Sequence, residues 1–229
     1  MYLLKALESL FFPNCCAGCG RQLNFAKQSI CLNCLAILPD TNFVSQPENP
    51  IEKIFAGRLP LAAAYSQFYF TRSSAIQSII HQLKYKGNKQ SGIDMGKLMG
   101  LAIKDSGRFS NIDFLIPLPL FPEKEKIRGY NQAEILCQGI AEVLQIPVER
   151  NLVLRTRATA TQTHKNRLER WQNVHEVFAV ADPQKPEGKK LLLVDDVITT
   201  GATLEACGNS ILSVCNAELY IASLAFAMQ

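Results

Sequence analysis

Apolar and polar residues change period several times along this chain, and each change marks an element. Leu61 to Phe70 reads as a strand. From Ser73, the residues Ile76, Ile79, Ile80 and Leu83 recur at three- and four-residue spacing, which is one face of a helix. Lys84-Tyr85-Lys86-Gly87 closes that helix with basic residues and a Gly cap. Ile93 to Ile103 and Asn131 to Leu144 predict two further helices, and Phe114 to Leu118 a buried strand. Val148 to Leu154 is strand or extended, and Val177 to Val180 is short and extended. Leu191 to Asp195 is an apolar run ending in a carboxylate, Ala202 to Val214 is helical, and Leu219 to Phe226 is a closing strand. Strands alternating with helices predict an α/β fold, a mostly parallel sheet flanked by helices. At the start of the chain Leu3, Leu4, Leu7, Leu10 and Phe11 share one helical face, which predicts a short helix packed on the domain. Residues 39–58 carry three Pro with Asn and Ser and little periodicity, and read as a linker.

Composition narrows the class. The 229 residues suffice for one good-sized domain plus a small appendage. No segment approaches the roughly 18 continuous apolar residues of a membrane span. Lys5 and Glu8 interrupt the N-terminal apolar run, and no small-residue cleavage site follows, so a secretory signal is not expected and a cytoplasmic location is. The net charge of +4 does not diagnose a nucleic-acid binder. Its distribution is uneven: Arg150, Arg155, Arg157, Lys165, Arg167 and Arg170 face one acid, Glu169, a local +5 between Arg150 and Trp171. Like charges this close call for a polyanion or counterions, although a solvated surface is the plain alternative. Tyr130 and Trp171 could stack on bases of a single strand, or be ordinary core or rim residues. His81, His164 and His175 show no metal-ligand spacing.

Five of the eight cysteines lie between positions 15 and 34. Cys16-Ala-Gly-Cys19 and Cys31-Leu-Asn-Cys34 are two C-x2-C pairs, each able to place two thiolates on one ion, and together they make a closed tetrahedral zinc site. Cys15 could replace Cys16 as a ligand. Disulfides are disfavoured without an export signal. Cys137, Cys207 and Cys215 sit in apolar or helical context as core residues.

The most informative stretch is Leu191 to Thr203, LLLVDDVITTGAT. It predicts a buried parallel strand whose carboxylates emerge at the carboxyl end, where open α/β sheets bind ligands. The turn of Thr199, Thr200, Gly201, Ala202 and Thr203 would present backbone N–H groups and hydroxyls at a helix N-terminus, a seat for a phosphate. Ionised Asp195 and Asp196 accept hydrogen bonds and suit a vicinal diol. A diol beside a phosphate describes a ribose 5-phosphate. The stretch resembles the binding signature of type I phosphoribosyltransferases, which hold 5-phosphoribosyl 1-pyrophosphate (PRPP).

Three other stretches extend the resemblance: Leu83-Lys-Tyr-Lys-Gly87, Ile116-Pro-Leu-Pro-Leu120 followed by Arg128-Gly-Tyr-Asn-Gln132, and Arg155-Thr-Arg157 leading through Thr161, Gln162 and Arg167 to Asn173 and Phe178. With the cysteine pairs they make the chain similar to the ComF family of phosphoribosyltransferase-like proteins, from about Phe12 to Phe226. The resemblance implies a phosphoribosyltransferase-type domain over 60–229, a helix and four-cysteine zinc module over 1–45, and a linker over 46–59. It implies a role in natural competence, with incoming single-stranded DNA and other competence proteins as partners. Asp195 and Asp196 would bind the ribose hydroxyls, and Val197 with Thr199 through Thr203 would line the phosphate seat. The backbone N–H groups of Leu118 and Leu120 would face the pyrophosphate. Arg157, Lys165 and Arg167 would cover it as a basic loop, with Mg²⁺ held mainly by the ligand's own oxygens. A second reading, from another class, is a non-catalytic single-stranded DNA-binding accessory protein that uses PRPP or a nucleotide as a regulatory ligand.

Overall fold

The computed structural model describes residues 14–23, 28–155 and 177–227. The helix expected over Leu3–Phe11 lies outside them. Among the described residues the elements run α1 (Leu32–Ala36), a 3-10 turn (Phe43–Ser45), α2 (Pro50–Phe55), β1 (Ala63–Tyr69), α3 (Ala75–Tyr85) and α4 (Lys89–Ser106). They continue with β2 (Phe114–Pro117), α5 (Pro122–Arg128), α6 (Gln132–Leu144), β3 (Val153–Arg155), β4 (Phe178–Val180), β5 (Lys190–Ile198), α7 (Ala202–Leu212) and β6 (Glu218–Phe226).

Four strands form one parallel sheet in the order β1-β6-β5-β2. Leu191, Leu192, Leu193 and Val194 of the central β5 have no exposed surface. Consecutive residues on a strand point to opposite faces, so full burial of all four requires cover on both. β3 and β4 pair separately as an antiparallel ribbon. The helix over 93–103 is longer than its apolar pattern, because Asn88 caps it at one end and Gly107 ends it at the other. The middle turns of α4 and α6 meet backbone to backbone. A Cβ added to Gly96 would lie 2.2 Å from the Leu136 carbonyl oxygen, and one on Gly139 would lie 2.1 Å from that of Ile93. Only glycine permits this approach, which presses the two helices together, α6 lying against β2 and β5 and α4 reaching β6.

The stretch that reads as a linker is not loose chain. Pro50 opens α2 and Asn49 caps it, accepting hydrogen bonds from the Ile51 and Glu52 N–H groups. The Asn49 amide donates to the carbonyls of Phe43, Gln46 and Ala64. Glu52 accepts from the Ala64 N–H and pairs with Arg108 at 2.6 Å. Phe43, Ile51 and Phe55 are core residues. The three apolar side chains are too widely spaced to show a period, which is why the pattern alone points to a linker.

Candidate functional site

β5 runs past its expected end. It carries Asp195 and Asp196 as strand residues and pairs with β6 as far as Ile198 opposite Phe226. The doublet therefore straddles the strand near its carboxyl end, one carboxylate toward each face. The Asp196 N–H donates to Asp195 Oδ1 at 2.8 Å. Asp196 is buried and forms an ion pair with Lys84 of α3, Nζ to Oδ2 2.9 Å. Burial and the neighbouring Asp196 push the Asp195 carboxyl up to about 7, opposed by the Asp196 N–H, Lys84 and Arg155. Arg155 ends β3, and burial lowers its pKa. Its guanidinium lies 3.5 Å from the Phe121 ring centroid and 5.1 Å from that of Phe178, and donates to the Pro119 carbonyl at 3.4 Å. Its Nε is buried with no hydrogen-bond partner among the described residues.

After Ile198 the chain turns. Thr199 and Thr200 are exposed, and so are Ala202 and Thr203 at the start of α7. Val197 is half-buried. Gly201 is the N-cap of α7, with φ +73° and no side-chain cap. A Cβ there would meet Ile54 Cγ2 and Phe55 Cε1 at 2.9 Å, so the turn rests on α2 and no larger residue fits. The Ala202 N–H makes a long bond of 3.4 Å to Thr200 Oγ1. The turn thus offers the N-terminus of an eleven-residue helix with exposed hydroxyls around it.

Arg128-Gly-Tyr-Asn-Gln132 fixes the other wall. The Tyr130 hydroxyl donates to the Leu83 carbonyl and so anchors the residue before Lys84. Asn131 caps α6 through Ala133 N–H and donates its amide to the Leu118 carbonyl at 2.9 Å. Arg128 bonds to Gln132 Oε1 at 2.5 Å and lies over the ring of Tyr85, 5.5 Å from its centroid. The motif thus ties α3, the turn after β2 and α6 into one frame. Beside that turn lies a cavity of about 310 Å³, lined by Pro119, Leu120, Asn131, Arg150 and Arg155 among others.

One expected donor is corrected. The Leu118 N–H is already spent on the Val194 carbonyl at 2.8 Å, extending the β2–β5 ladder by one bond, so Leu118 has no donor to give an anion. Leu120, past Pro119, lies on the cavity wall. Arg157, Lys165 and Arg167, with His164 and Trp171, lie outside the described residues. Lys84 and Arg155 are the cations that the sequence did not place at the carboxylates. The basic close of α3 and the Arg155 stretch were visible, but nothing in them shows that α3 and β3 end beside β5.

In the cysteine module Cys16, Cys19, Cys31 and Cys34 bring their sulfurs within 4.8 Å of one another, a group able to hold a metal ion. Cys19 and Cys31 are 3.8 Å apart. Four thiolates at about 2.3 Å from a tetrahedral ion stand about 3.8 Å from each other, so the set fits such an ion. Cys16, not Cys15, belongs to the group. Cys31 is the N-cap of α1, and its sulfur accepts from the Cys34 N–H. Burial opposes ionisation of Cys16, but N–H groups of Cys31, Cys19 and Gly18 outweigh it and hold the thiol down at about 6.

No family model matches the chain. Among curated proteins it is 30% identical to Competence protein F of Haemophilus influenzae over 220 residues, covering 94% of this chain and 86% of that protein. It is 31% identical to the DNA utilization protein YhgH of Escherichia coli K12 over 132 residues, which is 56% of this chain and 57% of the relative. It is 35% identical to Competence protein ComFC of Bacillus subtilis over 98 residues, 43% of this chain and 38% of that one. Among solved structures, a glutamine PRPP amidotransferase from B. subtilis overlays with a TM-score of 0.43 at 20% identity, covering 68% of this chain and 29% of that one. An adenine phosphoribosyltransferase from Saccharomyces cerevisiae overlays with a TM-score of 0.35 at 18% identity, covering 64% and 73%. These two are likenesses of fold alone. The near full-length match to Competence protein F, with the cysteine cluster ahead of a parallel sheet, places the chain in the ComF family.

Proposed function

We propose that this protein binds PRPP together with Mg²⁺ at the carboxyl end of β5, as a phosphoribosyltransferase whose acceptor is undetermined. The observation that carries the reading is a carboxylate doublet one short turn from a helix N-terminus held open by Gly201. The ribose would lie across the strand end, so that its two hydroxyls reach Asp195 on one side and Asp196 on the other. The 5′-phosphate would sit among the Thr199–Thr203 groups, where the helix dipole and unpaired N–H groups favour an anion. The pyrophosphate would occupy the space beside Leu120 and Arg155, where the orphaned Nε has a donor to give. Departure of pyrophosphate from C1 leaves positive character on the sugar and negative charge on the leaving group. Asp195 and Asp196 would offset the first and Arg155 the second, with Arg157, Lys165 and Arg167 closing over it. Mg²⁺, bound chiefly by the ligand's oxygens, would supply further charge neutralisation. The ion in the cysteine module is proposed to be zinc in a structural role. Its thiolates fit a reducing cytoplasm, and no helix among the described residues is long and apolar enough to cross a membrane.

Calorimetric titration with PRPP and Mg²⁺, followed by pyrophosphate release in the presence of bases, amines and nucleic acid, tests the reading. Absence of PRPP binding overturns it. Binding without release under any acceptor overturns the enzymatic half.

The second reading, a single-stranded DNA-binding protein in which PRPP regulates, gains a specific observation. Tyr85, next in the chain to the Lys84 that pairs with Asp196, is 63% exposed, with the His81 ring at 5.0 Å and Arg128 over its face. Lys84, Lys86 and Lys89 on one segment, and Lys124, Lys126 and Arg128 on α5, set six cations against Glu123 and Glu125. Rings interleaved with cations are what single-strand binders use. It fits the names of the relatives, and other competence proteins would be partners in that role. Affinity for an oligonucleotide that does not fall with salt would sink it.

A further inference from the structure

We propose that Lys84 is the positioning residue of the doublet: it is the counter-charge that shifts the pair toward the state in which Asp195 and Asp196 are both ionised before any sugar arrives. The inference rests on the PRPP reading and adds to it a residue that the expected binding set did not contain.

The geometry makes the need plain. Two adjacent carboxylates on one strand, one buried and one half-buried, repel each other across a medium that screens poorly. Where two carboxylates stand this near each other, one ordinarily keeps its proton. A retained proton would turn one acceptor into a donor and spoil the match to a diol, whose hydroxyls must donate. Among the described residues, the groups facing the doublet from the packed elements are few. Arg155 from β3 acts on Asp195 without an ion pair to it among the described residues, and its guanidinium lies over the rings of Phe121 and Phe178. Cys207 from α7 is buried, and burial pushes its thiol up, so it brings no charge at neutral pH. That leaves Lys84 from α3, 2.9 Å from Asp196.

Lys84 is also held rather than draped. Ile76, Ile79, Ile80 and Leu83 bury the helix that carries it, and Tyr130 pins the Leu83 carbonyl one residue away. A cation in the last turn is favoured by the helix dipole in any protein. That structural role would be filled by any orientation of the side chain; the contact with Asp196 demands one.

The test reads the ligand-free protein first. The side-chain carboxyl carbons of Asp195 and Asp196 are titrated by NMR in the wild type, Lys84→Met, Lys84→Arg and Lys104→Met, the last removing an equal charge from an exposed site on α4. The doublet's upper titration is expected to rise by a pH unit or more in Lys84→Met, to return in Lys84→Arg, and to stay put in Lys104→Met. If Lys84→Met does not fold, Lys84→Gln carries the same comparison. PRPP binding with Mg²⁺ is then measured against pH, and the midpoint of its loss on acidification should rise with the titration. A Lys84→Met titration that coincides with wild type, an equal rise in Lys104→Met, or no recovery in Lys84→Arg overturns the proposal. Failure of PRPP to bind wild type overturns the functional reading instead, while the carbon titration still decides Lys84.

Discussion

Ser29 meets Asp94 with both its main-chain N–H and its hydroxyl, and through that double contact the cysteine module is tied to α4. Gly18 lies against Cys34 and Ala75, the first residue of α3, so the module also rests on the helix that carries Lys84. The cysteine cluster and the carboxylate doublet are thus two ends of one packed unit.

Removal of the metal should therefore be felt beyond the module. A colorimetric assay is expected to find one zinc per chain. Chelation, or Cys31→Ser, should lower the melting temperature by several degrees, because metal binding of this type is also folding free energy. An unchanged melting temperature after complete zinc loss would contradict the coupling.

Gly96→Ala puts a methyl group 2.2 Å from the Leu136 carbonyl oxygen, where backbone rather than a flexible side chain must yield. The expected cost is about 3 kcal/mol or more, the upper end of overpacking effects, read by urea unfolding. Gly139→Ala should match it. Gly100→Ala meets Val143 Cβ first and should cost less.

Asp195→Asn and Asp196→Asn are each expected to weaken PRPP binding about 10- to 100-fold, the worth of a hydrogen bond to a charged group. Far-ultraviolet circular dichroism should stay unchanged. Retention of oligonucleotide binding in the same variants would separate the sugar site from the Tyr85 surface.

Stability should fall as pH rises through the titration of Asp195. Its carboxyl titrates near 7 in the folded protein against an ordinary 3.8. Between those values the folded state holds a proton that the unfolded chain has released, and stability declines with pH wherever the native state binds more protons. Urea unfolding at pH 5 and pH 8 should show this decline in the wild type and a smaller one in Asp195→Asn. Ligand affinity should move the other way, rising toward pH 8 as both acceptors ionise.

Much of this was legible in the sequence. The run from Leu191 to Thr203 showed strand, carboxylates and turn, because apolar runs and hydroxyl-rich bends are local signals. The cysteine pairs were legible for the same reason. Lys84 beside Asp196 was not: 112 positions separate them, and only the packing of α3 against the end of the sheet brings them together. The Leu118 donor was misjudged because the last ladder bond of β2 falls one residue beyond the strand. The helix at Pro50–Phe55 hid in a stretch rich in turn formers, since its two buried anchors, Ile51 and Phe55, make a single turn.

That short helix has a mechanical consequence. It supports Gly201 directly and is bonded to β1 by Asn49 and Glu52, so the segment acts as a strut beneath the turn proposed to seat the phosphate. An interdomain spacer usually tolerates a residue gained or lost; here one residue would rotate Ile54 and Phe55 away from the turn by about 100°, the angular step of a helix. The length of this connection is therefore under the same constraint as the site it props open.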